Sequence, residues 1–179
     1  MSMIGCDGIV MTADIDSKII NIIKNAVSYC YIISPSICLW PLLEREFEKS
    51  IGSKKNITVI AEKTEDYEQL SVFKILAEKY KVSVFLVENL HFSLFFNENE
   101  NFFSSMNAHD NSREDTFELG IYSQQPAVSA RLKSKVVDDE LMKFCTRFTC
   151  SPVETVPSDI DMDYDNNADE DDAPVEIPW

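Results

Sequence analysis

The chain has 179 residues, 45% of them hydrophobic, enough for one packed domain with at most an appendage. No apolar run reaches the roughly 18 residues needed to span a bilayer, and no basic stretch precedes an apolar one at the N-terminus, so a cytoplasmic protein without membrane contact is expected. The formal charge of −15 is uneven: ten of the 31 acidic residues and no lysine or arginine lie in residues 151–179. The preceding 150 residues, with 16 basic against 21 acidic, are mildly acidic, which disfavours duplex binding over the whole surface but leaves room for a local basic patch.

Taken in order, Met3 to Met11 reads as a short strand interrupted by Gly5 and Gly8. Asp16 suits the N-cap of a helix over 17–28, where Ile19, Ile20, Ile22, Ile23, Ala26 and Val27 recur at helical spacing. Tyr29 to Ile33 reads as a buried strand, stopped by Ser34-Pro35-Ser36 because proline cannot continue a central strand. Pro41 opens a second helix with Leu42, Leu43, Phe47 and Ile51 on one face, closed by Gly52. Ile57 to Ile60 is the next strand. A third helix follows from about Asp66 to Tyr80, with Leu70, Phe73, Leu76, Ala77 and Tyr80 as its buried stripe. Val82 to Val87 is a fourth strand.

This alternation implies an α/β domain with a largely parallel sheet covered by helices. After Val87 the rhythm changes to consecutive strands: a strand, a turn, a strand, a polar loop and a third strand, ending near Tyr122. A last helix is expected between Pro126 and Phe148, with Val128, Leu132, Val136, Leu141 and Phe144 inward and a break near Asp138-Asp139-Glu140. The five cysteines form no CxxC pair and read as reduced, mostly buried thiols. They do not cluster with either histidine, His91 or His109, so no metal and no other cofactor is expected.

The stretch from Val87 to Tyr122 is the one grouping that looks like a site. It holds His91-Phe92-Ser93, then Glu98, then Ser104-Ser105-Met106-Asn107, then Phe117-Glu118-Leu119-Gly120. In this order the residues resemble the nuclease-like branch of the phospholipase D superfamily. Its signature is His-x-Lys, four residues, Asp, then a serine-rich strand ending in Asn, then a Glu on the next strand. The resemblance covers roughly residues 15–148. It implies a phospholipase D-like mixed sheet flanked by helices over residues 1–150.

Two departures stand out: Ser93 replaces the motif lysine, and Glu98 stands where the aspartate belongs. In the mechanism the resemblance implies, one histidine, here His91, attacks phosphorus while a second from another motif copy protonates the leaving oxygen. The lysine neutralises the phosphoryl oxygens. Losing such a stabiliser costs about 3–4 kcal/mol, on the order of a hundred- to thousandfold in rate. Single-copy members build the site between two subunits, so a two-fold homodimer is expected. Glu118 would orient a histidine by accepting its ring N–H, while Ser93, Ser105 and Asn107 would offer neutral donors to a phosphate. Arg131, Lys133 and Lys135, with Arg113, are the basic candidates near the site, and Lys54-Lys55 reads as a solvated turn.

Residues 151–179 carry little apolar surface and are expected to be a disordered acidic tail. Its apolar tip, Ile177-Pro178-Trp179, resembles the C-terminal tip of bacterial single-stranded DNA-binding proteins, which docks on partner proteins. A terminal aromatic can fill a pocket while the acids meet a basic rim, and such a tail can also screen a basic groove on its own domain.

The expected function is that of a catalytically impaired phospholipase D-like protein in DNA replication, repair or processing. It would bind nucleic acid, single-stranded DNA foremost, and recruit DNA-processing proteins through its tip. The alternatives are a working nuclease or phosphodiesterase using His91, and an interaction scaffold without a ligand.

Overall fold

The computed structural model describes residues 7–108 and 118–149; His109, Arg113 and the tail from 151 to 179 with its apolar tip lie outside the described residues. Among the described residues the strands form one sheet of eight, in the order β1-β7-β6-β5-β2-β3-β4-β8. They are β1 (Gly8–Met11), β2 (Tyr29–Ser34), β3 (Asn56–Glu62), β4 (Ser83–Val87), β5 (Ser93–Asn97), β6 (Asn101–Ser104), β7 (Leu119–Ser123) and β8 (Thr146–Arg147). Only β2–β3 and β3–β4 are parallel. The other five pairings are antiparallel, so the sheet is mixed and not largely parallel as the helix-strand alternation suggests: β1 leaves the parallel group to pair with β7, and the consecutive strands after Val87 add antiparallel neighbours.

Three helices cover one face: α1 (Thr12–Asn25), α2 (Pro41–Ser50) and α3 (Tyr67–Glu78). They bury Ile15, Ile19, Ile22 and Ile23, then Leu43 and Phe47, then Phe73 and Leu76, against Ile32, Val59, Phe95 and Phe102 of the sheet. The first helix starts a turn earlier than the sequence suggests. Ile15 belongs to its apolar stripe and is fully buried, so Asp16 sits inside the helix and not at its N-cap, which is Met11, while Val27 lies beyond its end and is exposed. In α2 the expected stripe is half right. Leu43 and Phe47 are buried, but Leu42 and Ile51 face solvent, and the stripe is completed by Glu46 and Ser50. Helix α3 starts as its sequence indicates, with Asp66 accepting a hydrogen bond from the Glu68 N–H at 2.9 Å.

The last helical region differs most. Pro126–Arg131 forms α4, but Leu132–Asp138 continues as wider π-helical turns, followed by a short 3-10 turn at Leu141–Lys143 and then β8. The wider turn shifts the inward position by one residue. Val137, not Val136, is buried, and Phe144 is exposed. This segment covers the second face of the sheet from β5 to β4, where Ile33, Ile60, Val87, Leu94 and Phe96 meet Leu132, Val137 and Leu141, and reaches the start of β6, where Ser129 meets the buried Asn101.

At one point the two-layer packing demands a glycine. Gly120 on β7 lies under the buried ring of Phe102, and a β-carbon there would sit 2.1 Å from that ring.

Candidate functional site

The parallel strands β2, β3 and β4 all end at the same edge of the sheet. Strand β5 begins there, β6 ends there and β7 begins there. This brings His91, Ser93, Ser105, Asn107 and Glu118 to one end of the molecule, together with Ser34 and Ser36 from the end of β2. His91 is exposed in the turn leading into β5, and among the described residues no side chain holds its imidazole by a hydrogen bond.

Ser93 opens β5 on the face covered by α1–α3 and is 2% exposed. Its hydroxyl lies 3.3 Å from the Ser34 Oγ and donates to the Asn107 Oδ1 at 3.4 Å. Ser34 is itself engaged, donating to the Ser36 carbonyl at 2.8 Å and accepting the Ala108 N–H at 2.9 Å. The Asn107 amide donates to the Ser36 Oγ at 3.1 Å. The result is a closed knot of neutral groups in which each polar atom has a partner, as burial requires. For the Ser93 hydroxyl to reach a phosphate it must first let go of Asn107. Ser34 and Ser36 are the members that sequence reading misses: beside Pro35 they read only as a strand terminator, although serine at the mouth of a strand is a signal in itself.

On the neighbouring strands, Ser105 donates its hydroxyl to Glu118 and accepts the Leu119 N–H at 3.0 Å, and its own N–H donates to the Leu119 carbonyl. Glu118 thus fixes a serine within its own chain. Ser105 is exposed and Asn107 half-buried, so these two and His91 are the members of the set that face outward.

Glu98 lies at the other end of β5, in the turn to β6. Its carboxylate accepts the N–H groups of Val27, Ser28 and Tyr29 at 2.6, 3.2 and 3.4 Å. Burial alone would raise its pKa, but these backbone donors, with its own N–H, outweigh that and hold it below the usual carboxylate value. In this motif the carboxylate ties the α1–β2 connection to the β5–β6 turn, far from the histidine.

No family model matches the sequence, and no curated protein does. Solved structures do match over most of the chain. Nuc from Salmonella typhimurium, a phospholipase D family member, aligns over 80% of this chain and 97% of its own, with a TM-score of 0.66 and 8% identity. NucT from Helicobacter pylori aligns over 79% of this chain and 99% of its own, with a TM-score of 0.62 and 15% identity. TrmBL2, an archaeal chromatin protein with a described mode of DNA binding, aligns over 80% of this chain and 55% of its own, with a TM-score of 0.58 and 15% identity. The chain has the phospholipase D fold.

Within this phospholipase D-like fold the charges are segregated by end. Lys143, in the turn leading into β8 at the same sheet edge, is paired with Glu140 at 3.7 Å, and among the described residues of the loops that leave β2, β3 and β4 at the His91 end Lys63 is the one lysine or arginine. It pairs with Glu88 at 3.1 Å in a shallow cleft of about 300 Å³ that also holds Glu62 and Glu65. The expected basic neighbours are elsewhere. Lys133 lies beside Tyr29 and Tyr31, towards the start of β2 rather than its Ser34 end, and is paired with Asp138 at 2.8 Å. Lys135 is paired with Asp139 at 2.6 Å. They follow α4, whose Ser129 meets Asn101 at the start of β6, and so sit away from His91. Lys54, Lys55, Lys79 and Lys81 occupy the loops that enter β3 and β4, again at the far end. Sequence spacing could not foresee this, because α4 and its π-helical continuation run back over the second sheet face.

Proposed function

We propose that this chain is a catalytically impaired phospholipase D-like protein that binds nucleic acid, single-stranded DNA foremost, as a homodimer, with its acidic tail recruiting DNA-processing proteins or screening the binding surface. The observation that carries the reading is position 93. Where the motif places a lysine, a buried serine is tied to Ser34 and Asn107, and in the surrounding loops Lys63 is paired with Glu88 and Lys143 with Glu140. A phosphoryl group gaining charge in a transition state would find neutral donors there, not a counter-charge. What remains suits grip better than turnover. The exposed His91 and Ser105 and the half-buried Asn107 offer hydrogen bonds to phosphate oxygens, and Phe92, 37% exposed beside His91, offers a face for stacking a base. The shared fold with Nuc and NucT and with a DNA-binding chromatin protein supports this choice of ligand over a scaffold without one.

The test is incubation with labelled single-stranded DNA in the absence of metal, comparing wild type with His91→Ala. The expected result is binding without cleavage, weakened by salt, and strengthened when residues 151–179 are removed, because ten negative charges then cease to compete. Cleavage that disappears in His91→Ala would establish a working nuclease instead. No binding at any ionic strength would leave the interaction scaffold.

A further inference from the structure

Val128, Leu132 and Val136 recur every fourth residue, the spacing of a stripe that packs inward, yet the π-helical turns send Val137 into the core instead. The three are left half-buried at the surface of α4 and its continuation, where they floor a groove of about 200 Å³. Its rim is Arg131 and Lys135, both exposed, and among the described residues no carboxylate lines it. Lys135 is paired with Asp139 at 2.6 Å, while no described carboxylate pairs with Arg131. The cleft beside Lys63 differs in sign, being walled by Glu62, Glu65 and Glu88.

An apolar floor with a basic rim suits a ligand that carries apolar side chains next to negative charge. The sequence supplies one. Asp169, Glu170, Asp171 and Asp172 precede Val175, Ile177 and Trp179, three apolar residues at alternate positions. Pro174 and Pro178 disfavour helix at the residue before each, and in an extended chain alternate side chains share one face. Four extended steps, from Val175 to Trp179, span about 13 Å. The eight helical steps from Val128 to Val136 span about 12 Å. The two apolar rows therefore match in length.

We propose that the groove of Val128, Leu132 and Val136 holds the chain's own Val175–Trp179 stretch in cis, with Arg131 and Lys135 facing the acids at 169–172. Residues 150–174 then act as the tether, with a reach of about 25–30 Å if flexible. A domain of this size has a radius of gyration of about 15 Å, so the groove lies within that reach. Tethering of this kind gives an effective concentration on the order of millimolar, so even a weak contact is formed much of the time. The inference goes beyond the functional reading. The tail has a resting place away from His91, and any partner that takes the same stretch must first displace it. Only that last consequence rests on the recruiting role; the contact itself needs no DNA.

The experiment is acrylamide quenching of Trp179 fluorescence in the full chain at low salt, with circular dichroism melts as the check on folding. Difference against Trp179→Ala isolates it from Trp40, the other tryptophan, which is 5% exposed. Wild-type Trp179 is expected to be shielded and blue-shifted, and to lose part of that shielding as salt is added. Arg131→Glu with Lys135→Glu should raise its quenching at least twofold, and adding Asp171→Lys with Asp172→Lys should restore the shielding. Val136→Asn tests the apolar floor in the same direction; if it fails to fold, the reversals at two exposed residues decide alone. Lys54→Glu, at an exposed lysine outside the groove, should change nothing. A Trp179 freely quenched in wild type would overturn the proposal, as would shielding indifferent to the charge reversals. So would shielding lost on serial dilution, since a second copy would then supply the stretch. Binding of single-stranded DNA is scored on the same samples. A shielded Trp179 in a protein that ignores DNA keeps this contact and sinks the functional reading, and a freely quenched Trp179 in a protein that binds DNA does the reverse.

Discussion

Ser93→Lys restores the charge that the motif lacks, and its consequences can be worked from the surroundings of the position. Serine here is 2% exposed, wedged between Ser34 and Asn107, so a lysine stem must displace both contacts. Overpacking of this kind costs about 1–3 kcal/mol. The position opens β5 at the edge of the sheet, so the ammonium can be carried out past the knot towards His91 while the stem stays inside. The expected loss of stability is therefore about 2 kcal/mol, or about 4–8 °C in Tm for a domain of this size. Against that stands catalysis: a positioned charge of this type is worth about a hundred- to thousandfold in rate. The assay is metal-independent cleavage of a phosphodiester such as bis-p-nitrophenyl phosphate, alongside single-stranded DNA. The variant should cleave about a hundredfold faster than wild type, and Ser93→Lys combined with His91→Ala should lose the gain. A well-folded Ser93→Lys protein no faster than wild type would refute the reasoning, because the missing lysine would then not be what separates this site from a working one.

Other consequences are smaller in scope. Glu98→Gln removes the charge that three backbone donors face and should cost about 1–3 kcal/mol at neutral pH. Because the folded state holds the Glu98 carboxyl below its ordinary 4.5, that contribution is present at neutral pH and is lost as the pH falls below about 4.5 through the folded value. Wild type and variant melting curves should therefore converge in acid, and a constant gap down to pH 3 would count against the contact. Gly120→Ala places a methyl group where the Phe102 ring lies and should destabilise by about 1–3 kcal/mol in chemical denaturation, with no change in oligomeric state. Burial pushes the Cys30 thiol up to about 12, so peptide mapping after iodoacetamide at pH 8 should find Cys38 and Cys145 modified and Cys30 untouched until denaturant is added.

The order of elements was legible because its signals are local. Apolar stripes at helical spacing mark α1 and α3, Pro41 opens α2, and the switch to consecutive strands after Val87 announces the antiparallel half of the sheet. The misses share a cause. Whether Val136 or Val137 points inward depends on the π-helical turn, which no periodicity encodes, and the two-residue β8 exists only because Phe85 and Leu86 of β4 offer it an edge. The site divides in the same way. His91, Ser105, Asn107 and Glu118 could be named from their order in the chain. Ser34 and Ser36 could not, since they reach Ser93 and Asn107 only through the pairing of β2 with β5.

The two departures from the motif separate by what each residue does in the fold. The carboxylate of Glu98 reaches across to the N–H groups of Val27, Ser28 and Tyr29 and fixes the connection on which β2 depends, and one added methylene relative to aspartate does not prevent that. At position 93 the replacement is of another kind. A lysine would leave an ammonium to be balanced by a bound anion, whereas serine is satisfied by Ser34 and Asn107 with no ligand present. One change leaves the scaffold standing, and the other leaves a polar cluster satisfied by its own side chains. On the proposed reading, a protein kept for its shape and its hold on a partner, and not for turnover of phosphate, has reason to accept both. A site that is electrically complete without substrate has little left with which to stabilise a transition state.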